Sequence, residues 1–251
     1  MDSRLLGLDL KTSLSALADL VMPRVCIVCG DGLMPQESHI CSCCLADMPL
    51  TRFETWSRNP MADRLNAKVD RDGYAPYSYA TALYYYNEDA GYRYISQSIK
   101  YHRNFRAGEH FGRMLGERIA ASELFADVDA VVPVPLHRLR RWKRGYNQAE
   151  IIAKAVTGAL KDAGIAAALR TDLLIRDRRT MSQTRLSGEE KEKNVEGAFR
   201  CRKAKRECVH ILLVDDVCTT GSTLAACHRA LRQAFGGRVK ISAATLGFVS
   251  D

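Results

Sequence analysis

The chain alternates short apolar runs with longer stretches of three-to-four-residue periodicity, the pattern of an α/β protein. Four consecutive apolar residues, Ile211 to Val214, read as a parallel strand buried on both faces. Tyr77–Tyr86 is aromatic and β-prone, and Asp129–Pro135 and Arg238–Phe248 supply two further strands. Helical spacing fills the gaps. Residues 90–122, broken near Asn104–Gly108, carry Ile95, Ile99, Phe111, Leu115 and Ile119. Ala149–Leu160 carries Ile152, Val156 and Leu160, and beyond Thr223 the apolar positions are Leu224, Cys227, Leu231 and Phe235.

Three stretches fall outside this rhythm. At the N-terminus, Leu5, Leu8, Leu14, Leu17 and Leu20 are interrupted by Asp9, Lys11 and Asp19, so an amphipathic helix is expected rather than a secretory signal. Residues 49–76, with Pro49, Trp56, Pro60 and Pro76, show weak periodicity and read as a connection. Residues 175–199 are polar and charged between two expected strands, which suggests a lid able to close over a site.

Cysteine spacing adds a module at the front of the chain. Cys26-x2-Cys29 and Cys41-x2-Cys44 stand eleven residues apart, the spacing of two knuckles that complete a tetrahedral zinc site. A disulfide staple is the alternative, and Cys43 competes with Cys44 as fourth ligand. Four thiolates leave no open position, so such a zinc is structural. Cys201, Cys208, Cys218 and Cys227 lack knuckle spacing and read as unpaired thiols. The expected organisation is a helix and zinc ribbon over 1–50, a linker over 51–76 and an α/β body over 77–251.

Candidate chemistry concentrates after Val214. Asp215 and Asp216 follow the strand, then a turn of small residues, Thr219, Thr220, Gly221, Ser222 and Thr223, then a helix. Unpartnered N–H groups and the dipole at a helix N-terminus suit a phosphate, and glycine permits close approach. Two carboxylates would repel that phosphate but accept hydrogen bonds from sugar hydroxyls, so a sugar phosphate satisfies both halves. No Gly-Lys-Ser/Thr is present, which excludes a Walker loop. A second strand end, at Pro135, feeds the basic run His137–Arg144, then Gly145-Tyr146-Asn147-Gln148 and the helix from Ala149. That run suits pyrophosphate. With Trp142 and Tyr146 interleaved it also suits nucleic acid, and a solvated basic loop is the plain alternative.

The stretch ILLVDDVCTTGST resembles the phosphoribosyl pyrophosphate (PRPP) signature of type I phosphoribosyltransferases, with Cys218 where that family usually has an aliphatic residue. Across residues 20–249 the ordered motifs IKYHRNFRAG, VVPVPLHRLRRWKRGYNQAEIIA, RRTMSQTRLSGEEKEKNVEGAF and VDDVCTTGST resemble the ComF family, phosphoribosyltransferase-like proteins linked to competence and DNA uptake. The resemblance implies a type I phosphoribosyltransferase fold, a mostly parallel sheet flanked by helices. It implies that Asp215 and Asp216 hold ribose hydroxyls and that Val217, Cys218, Thr219, Thr220, Gly221, Ser222 and Thr223 form the 5-phosphate loop. Pro135, Leu136, His137, Arg138, Lys143 and Arg144 become pyrophosphate-loop candidates. Arg179, Thr180 and Gln183 become lid candidates. Mg²⁺ bridges pyrophosphate and ribose oxygens.

Composition narrows little further. The formal charge of +8 suits an anionic ligand, metabolite or nucleic acid. No run approaches the ~18 apolar residues of a membrane span, so a cytoplasmic protein is expected. Two classes stay open: an enzyme transferring phosphoribosyl to an unknown acceptor, and a non-catalytic PRPP or nucleotide sensor or single-stranded DNA handler. The second would work with DNA or with a DNA-uptake helicase or other protein partner.

Overall fold

The structure is a computed structural model that describes residues 24–70, 73–137, 141–142, 144–176, 197–202 and 208–250. The expected N-terminal helix, the lid residues Arg179, Thr180 and Gln183, and the loop residues Arg138 and Lys143 lie outside these residues.

Five strands form one parallel sheet: β1 (Ala80–Tyr86), β2 (Ala130–Pro133), β3 (Ala168–Leu169), β6 (His210–Cys218) and β7 (Lys240–Val249), in the order β1-β7-β6-β2-β3. A separate antiparallel pair joins β4 (Leu174–Arg176) to β5 (Phe199–Cys201), the two ends of the polar stretch. The helices are α1 (Ser42–Ala46), α2 (Pro60–Asp70), α3 (Arg93–Tyr101), α4 (Phe105–Ala120), α5 (Gln148–Asp162) and α6 (Ser222–Phe235). This is the expected α/β class.

The apolar run in β6 is continuous because both faces of the sheet are covered. Ile211 and Leu213 pack with α2 and α6, whereas Leu212 and Val214 pack with α3, α4 and α5. Gly116 lets α4 meet α5 closely: a Cβ there would lie 2.7 Å from the Cβ of Ala159. The break between α3 and α4 comes at His102–Asn104, where Arg103 takes φ 52° and Asn104 caps α4 by accepting the Ala107 N–H at 3.1 Å.

Two expectations are corrected. The strand does not stop at Val214. It continues through the acid pair to Cys218, because β7 runs alongside it, with Asp215 opposite Thr245 and Cys218 opposite Phe248. The stretch 51–76, expected to connect the zinc module to the body with weak periodicity, carries regular elements of its own. It holds a 3-10 turn, Phe53–Thr55, and α2, whose Met61, Leu65 and Val69 are fully buried against α6 and the sheet. Asn59 caps α2 by accepting the Ala62 N–H at 3.0 Å and Pro60 opens it. That Asn-Pro pair was the available signal; the four buried positions, Met61, Ala62, Leu65 and Val69, are too diluted by charge for periodicity to show.

The cysteine module packs on the α3–α5 face. Cys26, Ile40 and Met48 join that core, the Tyr85 N–H donates to Pro49 O at 2.8 Å, and Tyr92 Oη donates to Cys44 O at 2.8 Å.

Candidate functional site

A cleft of about 720 Å³ opens at the C-terminal edge of the sheet, the place where ligands bind in open α/β folds. Its wall includes Asp215, Asp216 and every residue from Val217 to Thr223. Pro135, Leu136 and Arg144 line it from the β2 side, while His137 is buried and outside the lining. Sequence reasoning therefore named both sides of one cleft. It missed the third wall: α3 contributes Arg93, Tyr94, Gln97 and Lys100, and the turn before it Glu88 and Asp89.

The turn is held from outside the cleft by α2. Arg64 Nη1 donates to Thr219 O at 2.8 Å, and its guanidinium lies 4.4 Å from the Phe248 ring centre. Gly221 takes φ 76°, and a Cβ on it would lie 2.7 Å from Leu65 Cδ2. Both demands call for glycine. Gly221 is also the N-cap of α6, so that helix opens without a side-chain cap, and Ser222, Thr223 and Leu224 of its first turn line the cleft. Thr220 Oγ1 and Ser222 Oγ sit 2.9 Å apart and brace the turn. An uncapped helix start facing a cleft favours an anion.

Across the turn stands the acid pair. The pleat sends neighbouring side chains to opposite faces, so Asp215 continues the α6 side and Asp216 the α3 side. Asp216 Oδ2 lies 2.7 Å from Lys100 Nζ, with the two side chains 7% and 26% exposed. Its other oxygen accepts the Val217 N–H at 2.9 Å. Burial works against the Lys100 ammonium, but the charge of Asp216 outweighs it and holds the lysine above its ordinary pKa. Asp215 goes the other way: burial, then the neighbouring charge of Asp216, push it up to about 8. The two acids thus differ in setting: Asp216 is ion-paired to Lys100, whereas Asp215 is held in a buried place beside a like charge.

On the β2 side, Asn147 fastens the loop by donating from Nδ2 to Val134 O at 3.0 Å and capping α5. Arg144 Nη1 donates to Gln148 Oε1 at 2.9 Å and its guanidinium stands 5.5 Å from the Tyr101 ring centre. Trp142 and Tyr101 are strongly exposed, 85% and 63%.

A second candidate site lies in the N-terminal module. Ligand atoms of Cys26, Cys29, Cys41 and Cys44 all fall within 4.8 Å of one another, and all four are free thiols. Cys43 is exposed and stands outside the group, so the fourth position belongs to Cys44. The Cys41 N–H donates to Cys26 Sγ at 3.4 Å and the Cys44 N–H to Cys41 Sγ at 3.4 Å. Burial opposes ionisation of Cys26, but N–H donors of Cys29, Cys41 and Val28 outweigh it and bring the thiol down to about 7. Four close sulfurs with backbone donors fit a thiophilic metal such as zinc.

Fold and sites together define an α/β protein with an anion-suited cleft at the edge of a parallel sheet and a four-cysteine, metal-type cluster at its front. No family model matches the chain. It is 35% identical over 107 residues to Competence protein F of Haemophilus influenzae, a stretch covering 42% of this chain and 44% of that protein. It is 35% identical over 97 residues to DNA utilization protein YhgH of Salmonella typhi, and 34% to that of Escherichia coli K12, each covering 39% of this chain and 40% of the relative. The chain thus matches less than half the length of these curated relatives. One of these relatives is named for competence and the other for DNA utilization. Among the described residues, no helix is long and apolar enough to cross a membrane.

Proposed function

We propose that this protein binds PRPP with Mg²⁺ in the cleft and transfers its phosphoribosyl group to a nitrogen acceptor, in the service of DNA uptake. One observation carries this reading: the uncapped turn and the Asp215–Asp216 pair share a single cleft. The turn takes the 5-phosphate through backbone N–H groups. The acid pair accepts from ribose hydroxyls, and Arg144 with the Pro135–Leu136 loop faces the pyrophosphate. Mg²⁺, a hard cation suited to phosphate oxygens, supplies neutralisation of the diphosphate when bound. In the reaction, the C1–O bond to pyrophosphate breaks, a C1–N bond forms, and the acceptor nitrogen loses a proton. The chain's contribution is positioning and stabilisation of the departing charge.

The test is calorimetry with PRPP and Mg²⁺ on the wild type and on Asp215→Asn/Asp216→Asn. Binding by the wild type, weakened roughly 100-fold in the variant (about 2.7 kcal/mol), supports the proposal. No binding by the wild type overturns it. Pyrophosphate release across a panel of nucleobases separates transfer from binding alone.

A second reading rests on the exposed Trp142 and Tyr101 beside Arg144. These suit stacking and phosphate contact with single-stranded DNA in a non-catalytic role. Salt-sensitive DNA affinity, lost with Trp142→Ala and Arg144→Ala and without pyrophosphate release, favours it.

The four cysteines hold one structural Zn²⁺ in this reading. Cys44→Ser abolishes stoichiometric zinc in the purified protein, and Cys43→Ser retains it. Protein purified without chelator that contains no zinc removes the assignment.

A further inference from the structure

Lys100 stands on the third wall of the cleft, within the motif IKYHRNFRAG, to which the sequence reading gave no role. It lies on α3, outside the acid pair, the small-residue turn and the basic loop, and its ammonium reaches Asp216 at 2.7 Å. Arg93, Arg144 and Arg176 line the same cleft but are engaged elsewhere, Arg176 with its guanidinium 5.0 Å from the Phe199 ring centre. Arg93 donates to Glu88 O and to Tyr94 Oη, and Arg144 donates to Gln148. An ammonium has three donors, and the ion pair with Asp216 uses one.

The usual explanation for such a lysine is neutralisation. Asp216 is 5% exposed, and nothing else among the described residues donates to its Oδ2. A buried carboxylate without a partner is costly. Neutralisation alone, however, does not require a side chain that remains 26% exposed and lines the cleft. A ligand with one anion on the turn and hydroxyls on the acid pair keeps its second anionic group within the same cleft, which Lys100 lines together with Pro135, Leu136 and Arg144.

We infer that Lys100 is a diphosphate-binding residue, its ammonium bridging Asp216 and a phosphoryl oxygen of the bound ligand. The inference rests on the PRPP reading and adds to it a cation from outside the basic loop. It also gives the ion pair a second purpose: Asp216 holds the ammonium in place before the ligand arrives, so little ordering is needed on binding.

The test separates this role from neutralisation. Lys100→Met alone strands Asp216, so stability and affinity fall together in either case. Asp216→Asn removes the stranded charge, and the comparison is therefore made in that background. Affinity for inorganic pyrophosphate with Mg²⁺ is measured by calorimetry, and melting temperature by scanning calorimetry, for Asp216→Asn and for Asp216→Asn/Lys100→Met. The expected result is a similar melting temperature with pyrophosphate affinity at least tenfold weaker in the double variant. Equal affinity overturns the inference and leaves the PRPP reading intact; failure of the wild type to bind either pyrophosphate or PRPP overturns both. Should the double variant not fold, acetylation footprinting of the wild type decides. Protection of Lys100 by pyrophosphate supports the role, and unchanged labelling rejects it.

Discussion

The parallel sheet carries a polar cluster at each end, built from similar parts. At the N-terminal edge, Asp127 Oδ1 lies 2.6 Å from His210 Nδ1, and His210 Nε2 lies 2.7 Å from Ser242 Oγ. Lys240 Nζ closes on Asp127 Oδ2 at 2.5 Å, and the Tyr79 N–H donates to Ser242 Oγ at 3.1 Å. At the C-terminal edge stand Asp215, Asp216 and Lys100. Aspartate, histidine and serine in a line invite a catalytic reading, yet His210 and Ser242 are fully buried and neither lines a cleft. Both ring nitrogens have partners. The other cluster faces open volume and keeps spare donors. What separates a structural network from a binding site here is whether its groups line a cleft, not residue type.

His210→Ala breaks the closed end. Removing a buried, doubly bonded ring costs about 3 kcal/mol in stability by urea unfolding, and cleft affinity for PRPP with Mg²⁺ stays within about twofold of wild type. A parallel loss of affinity would show that the two ends are one unit. Gly221→Val acts on the open end. With φ at 76° and Leu65 in the way, it costs about 2 kcal/mol in stability and weakens ligand binding about tenfold, both read from the same calorimetric series.

Proton linkage sharpens the contrast. Burial, reinforced by Asp216, raises Asp215 to about 8 in the fold, so the folded protein holds a proton that the unfolded chain has released. That contribution is present at low pH and is lost as pH rises toward 8. Wild-type stability therefore falls between pH 6.5 and 8 relative to Asp215→Asn, by at most about 1.4 kcal/mol per pH unit. Histidines behave oppositely. Burial, with help from Arg232, lowers His228 to about 3, and burial also lowers His210 despite Asp127. Their contribution is complete above the ordinary histidine value and drains away as pH falls through the folded values, so denaturation midpoints decline below about pH 6.5. The smallest effect is expected for Tyr92→Phe, which loses one hydrogen bond to Cys44 O: about 1 kcal/mol, with zinc content unchanged.

Much of this was legible in the chain because it was local. The knuckle spacing brings the right residues together, and only the choice of Cys44 over Cys43 needed coordinates. The acid pair and turn are contiguous, so their shared cleft follows from one strand-to-helix junction. What was not legible depends on partners far apart in sequence. Lys100 is one polar position on an amphipathic helix, and nothing near it mentions Asp216. His210 and Ser242 meet only because β6 and β7 pair in one register. The end of β6 was placed at Val214 because the apolar run stops there, whereas pairing with β7 carries the strand on through the acid pair.

The grip of α2 on the turn bears on how this protein can be cut. A fragment starting at Tyr77 retains every recognisable motif of the body, yet it lacks Arg64 and Leu65, which anchor Thr219 and fill the space against Gly221. Such a truncation is expected to bind phosphate poorly while its signature stays whole, and a start before Asn59 restores the missing buttress.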